Sequence, residues 1–419
     1  MSTFSTIKGT HDILPNESPL WQMIENQIHS IMKQNAYAEI RTPIFENTNL
    51  FIRGIGDETD IVTKEMYSWI DQSGNNLTLK PELTAPVVRA YLQHKMHNTN
   101  PINRLYYFDT LFRRERPQKG RQRQFYQFGA EAIGSAYPEQ DAEIISLAYN
   151  IYKSFDLKNV SVQLNSIGNS KIRPNYLNKL RQSLYNYKKE LCKICQTRIE
   201  KNALRLFDCK NPQCQKILDN NAPLIFNSIT KEDHQHFEEL IMILKEIKIP
   251  FVHNQKLVRG LDYYSHTTFE ITSNALGSQD ALCGGGRYNN LIEQLGGKKT
   301  PAIGFAAGVE RLIIALNHQS NYKSDVDIYL VHFGNKVFPI ASKIANDLRI
   351  KCNKSVALET LRRSFKSQMR EADRSGAKIT LILGEEELQK NIIIIKDMNS
   401  SIQKTVKLSE LTKFFKNDN

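Results

Sequence analysis

A chain of 419 residues, 40% hydrophobic and 24% charged, has room for two or three domains and is too ordinary in composition for a disordered or fibrous protein. It has no apolar run of about eighteen residues, and the opening "MSTFSTIKGTHDILP" has no apolar signal core, so a cytoplasmic protein that spans no membrane is expected. Lys+Arg number 56 against 44 Asp+Glu, and the resulting charge of +12 favours an anionic partner, nucleotide or nucleic acid. The excess is uneven. Residues 171–216 carry twelve Lys/Arg and three Asp/Glu, and residues 325–419 carry seventeen and twelve. Two separate basic regions suit a long polyanion that touches the protein in more than one place.

In chain order, "KPELTAPVVRA" places Glu82 and Thr84 two residues apart, on one face if the segment is extended. A carboxylate and a hydroxyl there can grip an ammonium group. Taken alone, a helix N-cap at Thr84 ahead of the apolar run is the simpler reading. "RLYYFDTLFRR" and "RQFYQFGAEAIG" are β-prone and are separated by Pro117 and Gly120, which predicts antiparallel neighbours joined by a basic loop. No βαβ unit with a glycine-rich first turn is present, which argues against a Rossmann nucleotide site. The loop carries Arg113, Arg114, Arg116, Lys119, Arg121 and Arg123 with a single acid, Glu115. Arginine forks match phosphate oxygens, although a charge run is more often a solvated hairpin tip. Phe125, Gln127 and Glu131 share one strand parity, and an aromatic, an amide and a carboxylate on one face favour a ligand site.

From 169 to 250 the pattern turns helical. In "FEELIMILKEI", Phe237, Leu240, Ile241, Leu244 and Ile247 form one apolar face. This stretch holds Cys192, Cys195, Cys209 and Cys214, spaced as C-x2-C and C-x4-C. The spacing admits a structural zinc site, and it equally admits four reduced thiols packed as small hydrophobes. Cys283 and Cys352 are isolated and read as packing residues. β-Rich sequence resumes at "LVRGLDYYSHTTFEIT", where Arg259 stands near Tyr263 and Tyr264. Adjacent residues of a regular strand point apart, so it is open whether both tyrosines face one pocket. The glycine run in "ALCGGGRYNNLIEQLGG" permits close backbone approach but is a weak motif alone. In "PAIGFAAGVERLI", Arg311 opens a helical pattern against the dipole preference, which makes sense if it faces a phosphate. After "NHQSNYKSD", strands alternate with helices, as in a small α/β domain with a parallel or mixed sheet. The expected boundaries are 1–168 and 251–320 for a divided core, 169–250 for a helical insertion and 325–419 for the last domain.

Together these segments resemble the histidyl-tRNA synthetases, class II aminoacyl-tRNA synthetases, over nearly the whole chain. "IKGTHDILP" resembles their N-terminal signature, "EIRTPIFE" their motif 1 at a dimer interface, "FDTLFRRERPQKGRQRQFYQFGAEAIG" motif 2 and "AIGFAAGVERL" motif 3. "LVRGLDYYSHTTFE" and "ALCGGGRYNNLIEQLGG" are similar to the two segments particular to the histidine enzymes. The resemblance implies an α+β protein: an antiparallel-sheet catalytic core, a helical insertion at the tRNA acceptor end and a C-terminal α/β anticodon-binding domain. It implies that Glu82, Thr84 and Gln127 hold the α-amino group of L-histidine, and that Glu131, Tyr263 and Tyr264 surround its imidazole. Arg113, Glu115, Arg121, Phe125 and Arg311 would bind ATP, with Phe125 stacked on adenine and Mg²⁺ at the β- and γ-phosphates. Arg259, with Arg113 and Arg311 the catalytic set, would contact both the histidine carboxylate and the α-phosphate. Arg116 and Gln118 would meet the extra 5′ guanosine of the histidine tRNA, and the chain would be a homodimer. The family varies at the cysteine quartet, so the resemblance leaves zinc open. Two competitors are a non-catalytic histidine-binding paralogue that regulates the histidine-biosynthetic phosphoribosyltransferase, and a generic RNA-binding module. The paralogue is expected to lack both the Arg259 segment and the C-terminal domain.

Overall fold

The computed structural model describes residues 4–57, 59–259, 261–274, 281–316, 326–334 and 336–417. By contacts the chain divides into two compact units, Met1–Asp12 with Ile24–His318, and Ile13–Met23 with Gln319–Asn419. No helix among the described residues is long and apolar enough to cross a membrane.

The larger unit is organised by an eight-stranded sheet. Its order is Ala38–Glu39, Asn103–Phe112, Gln124–Ile133, Ala302–Gly308, Ala281–Arg287, Ser265–Ser273, Val160–Ser166 and Phe251–His253. The inner strands pair antiparallel throughout and only the two outermost pairings are parallel. The expected hairpin is there: Asn103–Phe112 pairs with Gln124–Ile133 over their full length, with Asp109 opposite Gln127 and Leu105 opposite Glu131. Helix Pro138–Ser154 begins with proline where its missing N–H costs nothing, and it buries Ile144, Ile145, Leu147, Ile151 and Tyr152. Its Asp141 forms a fully buried ion pair with Arg287 (2.5 Å), and Arg287 also donates to the carbonyls of Ser135 and Tyr137. A buried arginine tolerates that position because its charge is paired and both terminal nitrogens have acceptors.

A small sheet of Phe45–Asn47, Asn76–Leu79 and Tyr67–Ile70 stands apart from the main one. The helices Arg173–Leu184, Lys193–Lys201, Pro212–Asn221 and Lys231–Glu246 follow the expected helical stretch. Thr230 and Asp233 close a capping box at the start of the last. Phe237, Leu240 and Leu244 of its apolar face are buried, but Ile247 is the C-cap and lies exposed, because the helix ends before its face is complete. Tyr176, Leu180, Leu184, Ile199 and Leu206 of this stretch share one apolar cluster with Tyr263, Tyr264, Tyr288 and Leu291.

The smaller unit has a mixed five-stranded sheet. Val356–Leu358, Ile328–His332 and Ile379–Leu383 are parallel, and Ile392–Asp397 and Gln403–Lys407 are antiparallel. Its core is built by Leu330, Leu348, Leu381, Ile393 and Phe415. The strand Gln403–Lys407 carries no apolar signature because it is an edge strand with four of five residues exposed.

Candidate active site

A cavity of about 450 Å³ opens on one face of the eight-stranded sheet. Its floor is laid by the strands Gln124–Ile133, Ala302–Gly308 and Ala281–Arg287, and its walls by Glu82–Thr84, the basic loop and the segment around Arg259. Phe125, Gln127 and Glu131 all line it, as their shared parity predicts.

At one end Glu131 is buried and accepts three hydrogen bonds, from Thr84 Oγ1 (2.8 Å), Tyr107 OH (3.2 Å) and Tyr288 OH (2.6 Å). Burial, with Glu82 adding to it against these hydroxyls, pushes its carboxyl up to about 8. Gly304 is its partner across the ladder, where a Cβ would fall 1.7 Å from Glu131 Oε2, so no larger residue fits. Glu82 accepts from the amides of Thr84 (2.8 Å) and Ala85 (2.9 Å). This corrects the cap reading: helix Thr84–Gln93 is capped by the carboxylate of Glu82, and Thr84 is its first residue, with its hydroxyl turned to Glu131. The segment is thus a helix start, and not an extended one. Burial raises the pKa of Glu82 as well, although these two amides and Arg113 work against it. Buried Gln127 Oε1 has no hydrogen-bond partner among the described residues, as expected of a group that awaits a ligand.

At the other end the arginines gather. Arg113 donates to the Pro81 carbonyl (2.8 Å), lies 5.2 Å from the centre of the Phe125 ring and reaches Glu115, which also faces Arg121. Arg311, near the start of helix Val309–Leu316, donates to the Ala281 carbonyl (2.7 Å). Burial, then the charge of Arg121, lowers its pKa. Such crowding of like charge against the helix dipole is relieved by an anion. Its neighbour Glu310 accepts from the Tyr126 amide (2.9 Å) and is pushed up to about 7 by burial.

Arg259 lies in the same cavity, ion-paired with Glu270 and 5.8 Å from the centre of the Tyr264 ring. Burial opposes its charge, but Glu270, Tyr264 and Asp208 outweigh that penalty and raise its pKa. Its guanidinium lies over Gly284, where a Cβ would be 2.2 Å away. The glycine run, weak as a motif, is what lets the arginine in. Tyr263 and Tyr264 both line the cavity with ring centres 4.7 Å apart. They can do so because they precede the strand, which starts at Ser265. Cys283 is a wall residue of the cavity, its thiol pushed up to about 12 by burial, while Cys352 packs in the core of the smaller unit. Arg116 and Gln118 are exposed on the loop and do not line the cavity.

The model of the family described as histidyl-tRNA synthetase matches residues 9–312, and that of an anticodon binding domain matches 325–418. The chain belongs to the histidyl-tRNA synthetase family. It is 47% identical over 412 residues to the histidine–tRNA ligase of Bacillus cytotoxicus, with 96% of each chain covered. It is 42% identical over 419 residues to that of Staphylococcus aureus, covering 98% of this chain and 99% of the other. The crystal structure of apo histidyl-tRNA synthetase from S. aureus superposes with a TM-score of 0.82 at 36% identity, covering 99% of this chain and all of the other. The antiparallel core and the C-terminal domain are thus those of a class II histidyl-tRNA synthetase fold.

Within this family frame, the lining residues Tyr288, Glu270, Arg205 and Asp208 escaped the sequence reading, as did Tyr107, which does not line the cavity but donates to Glu131. Tyr107 was within reach, since the hairpin register puts it opposite Gly129, on the parity of Gln127 and Glu131. The other four are brought in by long-range pairing and by the helical stretch, which no local pattern reports.

Proposed function

We propose that the chain is a histidine–tRNA ligase that activates L-histidine with ATP and transfers it to the 3′ end of the histidine tRNA. In the first step the histidine carboxylate attacks the α-phosphorus in line, giving histidyl-adenylate and pyrophosphate. In the second the terminal hydroxyl of the tRNA displaces the adenylate. Neither step needs a protein nucleophile; both need positioning, and the first needs fixed positive charge where negative charge builds on the α-phosphate. Arg259 supplies that charge, since a guanidinium does not lose its proton and its orientation is set by Glu270. Glu82, Thr84 and Gln127 receive the α-amino group, and the free Gln127 Oε1 supports this. Glu131, Tyr263 and Tyr264 surround the imidazole, and a pocket built to pair both ring nitrogens penalises analogues that leave a partner unmatched.

Arg113, Arg121 and Arg311 hold the triphosphate, the first two oriented by Glu115 between them, with Phe125 on the adenine. Glu115 and Glu310, the carboxylates among these arginines, would hold a Mg²⁺ carried with ATP, which would offset phosphate charge. The adenylation chemistry does not call for zinc on the cysteine quartet. Exposed Arg116 and Gln118 are free to meet the acceptor end of the tRNA, residues 169–250 form the insertion beside it, and 325–419 bind the anticodon. Ile44 and Phe45 of the segment that resembles motif 1, with Trp69 and Ile70 of the small sheet, expose apolar surface, which supports a homodimer covering it. A cytoplasmic location follows from the activity. The chain keeps both features whose absence would mark the regulatory paralogue, Arg259 and the C-terminal domain.

The observation that carries this reading is the single cavity in which buried carboxyls and tyrosines face a cluster of arginines, with Arg259 held by Glu270. The test is histidine-dependent ATP–pyrophosphate exchange. Arg259→Ala is expected to lose about 10³-fold in kcat/KM with folding intact; full activity in that variant would remove its role, and no exchange by the wild type would remove the ligase reading.

A further inference from the structure

We propose that Cys192, Cys195, Cys209 and Cys214 bind one Zn²⁺ as a tetrathiolate, and that this metal fastens the Arg205–Asp208 segment against the active-site cavity. The four Sγ atoms all lie within 4.8 Å of one another. A tetrahedral zinc with bonds of about 2.3 Å sets its sulfurs about 3.8 Å apart. The Cys192–Cys209 pair is already at 3.9 Å, so the quartet needs only a small contraction.

The chain folds to present these sulfurs. Cys192 is the N-cap of helix Lys193–Lys201 and Cys195 lies in its first turn. Cys214 lies in the first turn of helix Pro212–Asn221, which Asn211 caps through its side chain. Two helix N-termini therefore bring partial positive charge to the sulfurs. Amides point at sulfur directly: Cys192 N donates to Cys214 Sγ (3.2 Å) and Asn211 N to Cys209 Sγ (3.4 Å). Binding releases the four thiol protons to solvent and leaves a cluster of net charge −2, in a stretch, 171–216, with nine more basic than acidic residues. Simple packing of small hydrophobes gives no reason for four sulfurs to converge on one point. Disulfides would bring the sulfurs together pairwise at about 2.05 Å, but all four cysteines are free and the Cys192–Cys209 pair stands at 3.9 Å.

The metal also has a mechanical consequence. Arg205 and Asp208 lie between Cys195 and Cys209, and both line the cavity. Arg205 is anchored across it to Asp60 (Nη1–Oδ2 2.5 Å), and Asp208 helps hold the charge on Arg259. Zinc ties the far end of this segment, so the wall that carries both residues is fixed at two points. This second half rests on the ligase reading; the metal itself does not.

The test begins with untagged full-length protein, dialysed against metal-free buffer and analysed by plasma mass spectrometry. About one zinc per chain is expected, released in step with modification of the quartet by an organomercurial, and Co²⁺ in its place should give the absorption of a tetrahedral thiolate site. Cys209→Ser should lose the metal. Absence of metal after reconstitution with Zn²⁺, or a disulfide within the quartet of anaerobically purified protein, overturns the site. Because the organomercurial and Co²⁺ measurements use the wild type, a variant that fails to fold does not decide the matter. Stripped protein is expected to show a KM for histidine or ATP raised about tenfold and restored by Zn²⁺. An unchanged KM in protein shown to have held and lost zinc overturns the fastening role alone.

Discussion

Gly284→Ala is expected to disable adenylation by moving a residue it does not replace. A methyl group at Gly284 would stand 2.2 Å from Nη2 and 2.3 Å from Cζ of Arg259. Non-bonded contacts of this kind settle near about 3.5 Å, so the guanidinium has to retreat by roughly 1.2 Å. Retreat is constrained, because Arg259 is paired with Glu270, the cross-strand neighbour of Gly284 itself. Gly284 does not adopt a positive φ, so alanine adds no backbone strain of its own. A misplacement of about 1 Å in a positioning group costs about 10²-fold, or about 2.7 kcal/mol in the barrier. Histidine-dependent pyrophosphate exchange should therefore fall by about two orders of magnitude in kcat/KM, while the thermal midpoint drops by only about 5 °C. A double-mutant cycle isolates the cause. In an Arg259→Ala background there is no guanidinium left to displace, so the added Gly284→Ala should cost almost nothing. Wild-type exchange in Gly284→Ala, or full additivity in the double variant, would refute the reasoning.

Two further outcomes follow from the electrostatics. Glu131 keeps its proton in the folded protein to a pH of about 8, whereas an unfolded chain loses it near the ordinary value of 4.5. The stability it contributes is therefore complete below that lower value and is lost as pH rises towards about 8, so the thermal midpoint of Glu131→Gln should fall less than that of the wild type between those pH values; parallel curves would show that Glu131 is not held neutral. In the smaller unit, Lys366 and Arg370 are exposed on helix Phe365–Arg374, whereas Arg374 is taken up by Glu371. The double substitution Lys366→Glu with Arg370→Glu should raise the KM for tRNA about tenfold, with a shallower salt dependence, and leave pyrophosphate exchange unchanged; an unaltered KM would place anticodon binding on another face.

How much of this was legible depended on the range of the interaction. Phe125, Gln127 and Glu131 were placed on one face because strand parity is a local rule, and the sheet keeps it over the whole hairpin. Glu82 and Thr84 were read as a helix start, but with Thr84 in place of Glu82 as the capping side chain. Both residues can cap a helix, and only the tertiary pull of Glu131 on the Thr84 hydroxyl decides which of them does. Glu270 could not be singled out in "HTTFEIT", since its meaning comes from Arg259 across the cavity. Tyr288 lies more than a hundred and fifty residues from Glu131, whose carboxylate it meets. The glycines were the reverse case. Their positions were plain, but their necessity appears only in the atoms opposite them, Arg259 for Gly284 and Glu131 for Gly304.

The charge layout of the cavity carries the functional argument one step further than any single residue. Glu82 and Glu131 are both driven towards their neutral forms, so the protein by itself supplies too little positive charge at their end. At the opposite end burial and the charge of Arg121 disfavour the charge on Arg311, so positive charge is in excess there. A protein that only had to be stable would pair these groups with each other, since leaving buried charge uncompensated costs several kcal/mol. Keeping them apart makes sense if ligands complete both ends: an ammonium and an imidazole for the carboxyls, a triphosphate for the arginines. Arg259 is compensated in advance by its own carboxylate, Glu270, whereas Arg113 and Arg121 share Glu115. That fits a group whose charge must already be in place when carboxylate and phosphate, both anionic, are brought together.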